Sequence, residues 1–174
     1  MFNTVQLVVS LYTSPVFAGF LQMQRGLEML SENAGIPRAV TELMGSTLDQ
    51  INNYGCWCYF ESKHGHGKSK PVNDVDALCK ILHEGYDCAM VDAEANGDSC
   101  VPWEVDYNTG TANLDNLVET CTVKNQNTGD QTDCATNSCI VEGYFITNVF
   151  QLFISGTSQH NLTYNAFGSY MTKK

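Results

Sequence analysis

Apolar residues along this chain fall into three helical stripes, one alternating stretch and one nearly unbroken run. Phe20, Met23, Leu27 and Leu30 recur at helical spacing with Gln22, Arg25 and Glu28 between them, which predicts an amphipathic helix stopped by Gly35-Ile36-Pro37. Val40, Leu43, Met44, Leu48 and Ile51 predict a second helical stretch that runs into Asn52. Val75, Leu78, Cys79, Leu82, Tyr86 and Ala89 mark the buried face of a third, which begins near Asn73 or Asp74 and ends at Asn96-Gly97-Asp98. Its first turn carries acids that complement the helix dipole.

The period changes at Val101. Val101, Trp103, Val105 and Tyr107 alternate with Glu104 and Asp106, the pattern of a half-buried strand. Asn108-Thr109-Gly110 then turns the chain, and Leu117 to Lys124 is the expected return strand. From Cys139 to Ile154 the residues are apolar nearly all round, which describes a central buried helix with one charged residue, Glu142.

Composition narrows the setting. The 174 residues suffice for one domain with a real core. Eight cysteines crowd between Cys56 and Cys139, which suits a disulfide framework in an oxidising, secreted or lumenal compartment. Zinc is the competing reading, but Cys56-Trp57-Cys58 is tighter than zinc-ligand spacing and no second pair follows. A net charge of −10 with nine scattered basic residues argues against nucleic acid and against electrostatic docking on anionic membranes.

Residues 1–18 have an apolar middle and end in Val16-Phe17-Ala18, a small-residue cleavage pattern, although a basic start is lacking. They read as a signal peptide, with a mature segment packed on the domain as the alternative. Residues 19–174 then form a single domain with an extended N-terminal helical segment and a polar C-terminal tail. The tail holds Asn161-Leu162-Thr163, a glycosylation sequon usable in a secreted chain.

Glu142 needs a partner, because a carboxylate on an apolar helix is costly unless paired or neutralised. His83, also mid-helix, is the expected one, with solvent or Tyr and Asn hydroxyl and amide groups near a helix end as the alternative: a buried carboxylate would fix the imidazole tautomer and leave the other ring nitrogen to take a proton from water. Glu84 lies about a third of a turn away and can face a loop. Loop carbonyls with a carboxylate are the ligands of a hard cation such as calcium. The loop around Trp57, Tyr59 and Glu61, or around Gly65 and Gly67, offers such carbonyls.

At these residues a resemblance becomes specific. Asn52-Asn53-Tyr54-Gly55-Cys56-Trp57-Cys58, a glycine-bearing loop, Pro71-Val72 followed by Asp74 and Asp76, then Cys79 and the His83-Glu84 pair, resemble secreted phospholipase A2. The likeness covers roughly residues 52–150 and is sharpest from Tyr54 to Glu84. It implies a mainly α, disulfide-stapled fold with two long antiparallel helices and a small β-hairpin wing. It also implies calcium held by Glu84 and the carbonyls of the Trp57, Tyr59 and Glu61 loop. His83 would activate water, Glu142 would orient His83 with help from Tyr107, and a phospholipid surface would be the substrate. The bridges it implies are Cys58–Cys79, Cys100–Cys134 and Cys121–Cys139, which leaves Cys56–Cys88, a pair with no family counterpart. Further family cysteines are missing together with their partners, with Leu78 and Tyr86 at the first places and Val141 and Asn148 at those of their partners on the third helix.

The chain departs from the family at defined points. Tyr59 replaces a glycine whose N–H helps bind the oxyanion, and Glu84 and Glu142 stand where the family has aspartates. One extra residue separates Asp76 from His83. These changes motivate a second function, a non-catalytic scaffold or calcium-associated matrix protein that assembles with other proteins.

Overall fold

The structure, a computed structural model, describes residues 18–45, 47–60, 69–108 and 116–159. The expected signal peptide up to Phe17, Glu61, the Gly65 and Gly67 loop, the Thr109-Gly110 turn and Asn161 lie outside the described residues, as do the side chains of Leu43 and Met44. Six α-helices are described: α1 Ala18–Asn33, α2 Arg38–Gly45, α3 Thr47–Ile51, α4 Asp74–Ala95, α5 Leu117–Asn125 and α6 Thr132–Gln159.

The fold is mainly helical and is built on α4 and α6. The two run in opposite directions: Gly85 meets Val141, while Ala89 and Ala93 share a cleft with Thr132 and Cys134 at the start of α6. A Cβ on Gly85 would lie 2.7 Å from a Val141 methyl, so glycine is what lets the helices approach here. Asn73 caps α4 by accepting the Asp76 N–H at 3.0 Å, and Asp74 and Asp76 occupy its first turn. Gly97, at φ +80°, turns the chain away after the last turn.

Two buried clusters result. Met23 and Leu27 of α1, Leu48 and Ile51 of α3, and Phe145 and Val149 of α6 belong to the larger one. Ala89, Leu117, Ala135 and two disulfides form the smaller one, where α5 packs on α6. By length and composition Thr132–Ser155 could cross a membrane, but 44% of that window is buried inside the fold, and core packing explains its apolarity.

Disulfides join Cys58 to Cys79, Cys100 to Cys134 and Cys121 to Cys139. Cys56 and Cys88 carry free thiols, which corrects the expected fourth bridge. The reason is distance. The Cys56 N–H bonds Asp76, and Cys88 lies twelve residues further along the same helix. That separation is about 18 Å at 1.5 Å per residue, beyond the roughly 7 Å limit between bridged Cα atoms.

The β-hairpin is also corrected. Among the described residues there is no strand, only an isolated bridge between Tyr54 and Cys58. Val101–Tyr107 is irregular, and its expected partner Leu117–Lys124 is helical in α5. Leu117, Cys121 and Asn125 lie four residues apart and are all buried, with Cys121 tied to α6. Burial of this helical face overrides the β-propensity of the exposed Val118 and Val123.

Candidate functional site

Two fully buried carboxylates organise the site, Asp76 at the start of α4 and Glu142 in the middle of α6. The loop before α4 closes around Asp76. Its carboxylate accepts the N–H groups of Cys56 at 3.0 Å, Trp57 at 2.7 Å and Val72 at 2.9 Å. Gly55 sits at φ +64°, and a Cβ there would collide with the Asp76 carboxylate. Tyr54 accepts from Asn73 Nδ2 at 2.7 Å, and Cys58 is bridged to Cys79, so side chain, backbone and disulfide all fix this loop on α4.

What the loop presents to α4 is the Trp57 carbonyl. It accepts the Tyr59 N–H at 2.9 Å and lies 2.7 Å from His83 Nε2. A carbonyl only accepts, so Nε2 carries the proton, and both lone pairs of this oxygen are engaged. His83 is 2% exposed, and its ring also packs edge-on against Tyr86 at 6.3 Å. Lys80 lies over the Trp57 ring at 5.4 Å, a cation–π contact on the outer side.

Glu142 is held differently. One carboxylate oxygen accepts the Tyr86 hydroxyl at 2.7 Å and the other the Tyr107 hydroxyl at 2.5 Å. Burial raises its pKa to about 7, against the opposing pull of the two hydroxyls. Both tyrosines are pushed well above the usual phenol value by burial and by the neighbouring carboxylate.

The sequence expectation that Glu142 orients His83 is therefore corrected: the Trp57 carbonyl orients the ring, and Glu142 receives tyrosines. The cause is helical register. In an unbroken helix one residue turns a side chain by about 100°. Tyr86 takes the Glu142 face and His83 is carried round to the loop. Leu82, four residues before Tyr86, shares the Tyr86 face and is buried. The same register puts Gly85 opposite Val141.

Of the expected metal ligands, Glu84 points outward. Its side chain is 59% exposed and pairs with Lys80 at 3.4 Å. Among the described residues of the expected calcium site, Trp57 O is already shared by two N–H donors and Glu84 is turned to solvent; Glu61 lies outside them. Sequence reasoning brought out His83, Glu142 and Tyr107 but passed over Asp76 as a loop anchor and Tyr86 as a carboxylate partner. For Asp76 the signal was there, in an acid and a capping asparagine next to a Pro-Val turn.

Between α1 and α4 lies a narrow cavity lined by Phe20, Met23, Phe60, His83, Tyr86 and Trp103. Its volume of about 10 Å³ is at the lower bound of what holds one water molecule. No protein-family model, curated protein or solved structure matches the chain.

Proposed function

We propose that the chain is a non-catalytic, phospholipase A2-like secreted scaffold, in which the hydrolase machinery has become structural. One observation carries this: the Trp57 carbonyl, the expected first ligand of calcium, is shared between His83 Nε2–H and the Tyr59 N–H. Calcium there would have to displace one of them, and the Tyr59 N–H, at the place of the family's oxyanion-binding glycine, is itself engaged. Three disulfides suit the oxidising compartment in which such a scaffold works. The net charge of −10 suits diffuse calcium association and assembly with other secreted macromolecules. A glycan at Asn161 belongs to the same setting.

Calorimetry tests the reading. Calcium is expected to bind at several weak sites insensitive to Glu84→Ala, and fatty acid release from phosphatidylcholine vesicles is expected to stay at the buffer level. A single stoichiometric site abolished by that substitution overturns it.

The second reading is calcium-dependent hydrolysis of the sn-2 ester of glycerophospholipids. Its specific support is that His83 borders the water-sized cavity, and that a proton on Nε2 places the neutral ring's lone pair on Nδ1, as a general base requires. Vesicle hydrolysis that needs calcium and disappears in His83→Gln establishes this reading in place of the first.

A further inference from the structure

The first turn of α1 closes two spaces at once. Phe20 and Met23 wall the cavity beside His83. A Cβ on Gly19 would lie 2.6 Å from Glu142 Oε1, so the start of α1 also shuts the carboxylate away from water. The turn is held by the segment that follows Cys100. The Gly19 N–H donates to Trp103 O at 3.2 Å, and Gln22 Nε2 donates to Asp106 Oδ1 at 2.5 Å and to Tyr107 O at 2.9 Å. Tyr107 in turn holds Glu142.

We infer that the first turn of α1 is a lid over the His83 cavity and that ionisation of Glu142 releases it. The groups facing Glu142 are Tyr86, with His83 beyond it, from α4, and Tyr107 from the irregular segment, with Asp106 beside Gln22. From α1, among the described residues, Gly19 approaches it and Gln22 binds the Tyr107 carbonyl, while Arg25 and Glu28 are exposed. Among the described residues, both hydrogen-bond donors to the carboxylate are neutral hydroxyls, so its ionised form has no cation beside it. Lifting that turn hydrates the carboxylate, which stabilises the ionised form in the open state alone. The proton therefore favours the shut state. The gap between the ordinary value of 4.5 and about 7 sets the range over which the lid responds. Within it each pH unit shifts the open-to-shut ratio by up to about tenfold, and above it the response levels off.

Amide hydrogen exchange on the full chain tests this, with rates corrected for the intrinsic pH dependence of exchange. The opening constant of the amides at 21–24 is expected to rise roughly a hundredfold between pH 5 and pH 8. Glu142→Gln is expected to flatten it. A flat wild-type profile, or a slope that survives in Glu142→Gln, overturns the inference. Should Glu142→Gln fail to fold, Tyr107→Phe decides: loss of one hydroxyl must move the midpoint upward, and an unmoved midpoint overturns the latch. Asp106→Asn must leave the transition in place; its disappearance would assign the latch to Asp106 instead.

Discussion

Asp76 and Glu142 are both fully buried, yet they are held by different kinds of partner. Asp76 sits in the first turn of α4, where the helix dipole favours an anion, and it collects backbone N–H groups from a loop that has few other partners for them. Glu142 lies mid-helix, far from either helix end, and has two phenols. Position along a helix decides what a buried acid can bind: backbone N–H groups at the first turn, or side-chain hydroxyls further in, where burial raises the Glu142 pKa to about 7. The first makes a rigid loop; the second makes a site that responds to pH.

The largest test of this contrast is Asp76→Ala, which orphans several buried N–H groups at once. We expect a loss of roughly 3–5 kcal/mol, read by urea denaturation. A loss under about 1 kcal/mol would mean the loop is held by the Cys58–Cys79 bridge alone.

Next in size is the pH dependence. Glu142 binds its proton more tightly folded than unfolded, so its contribution is fullest below about 4.5 and declines as pH rises to about 7. The decline should be about 3 kcal/mol at most, absent in Glu142→Gln. Tyr107→Phe should cost about 1–2 kcal/mol near pH 5.5, since it removes one neutral hydrogen bond in a closed setting. At the small end, Glu84→Ala removes an exposed ion pair and should change stability by under about 0.5 kcal/mol. A large effect there would show that this carboxylate, too, has structural work.

The helical stripes were legible in the sequence because burial on one face imposes the 3.6-residue period directly. Phe20 to Leu30 falls within α1, Val75 to Ala89 within α4 and Cys139 to Ile154 within α6. The stripe from Val40 to Ile51 spans two short helices, α2 and α3, because periodicity persists across a break that it cannot mark. α5 was misread because Val118 and Val123 carry a strand-like composition on the exposed side, while the buried side is set by a disulfide to a distant segment. The candidate site was legible by residue type but not by pairing. His83, Tyr107 and Glu142 do gather around Tyr86, but whether Glu142 meets His83 or Tyr86 depends on one residue of helical register. Neither periodicity nor spacing to the nearest cysteine determines that.

The seam between Gly85 and Val141 shows how tolerant the frame is of covalent change. A Cβ on Gly85 would lie 3.4 Å from the valine Cβ, close to the roughly 3.5–4.5 Å that a disulfide spans. Two substitutions there would install a cross-link between α4 and α6 with little backbone adjustment, and their reversal would remove it. A disulfide or tight apolar packing would thus hold the two helices at nearly the same spacing here.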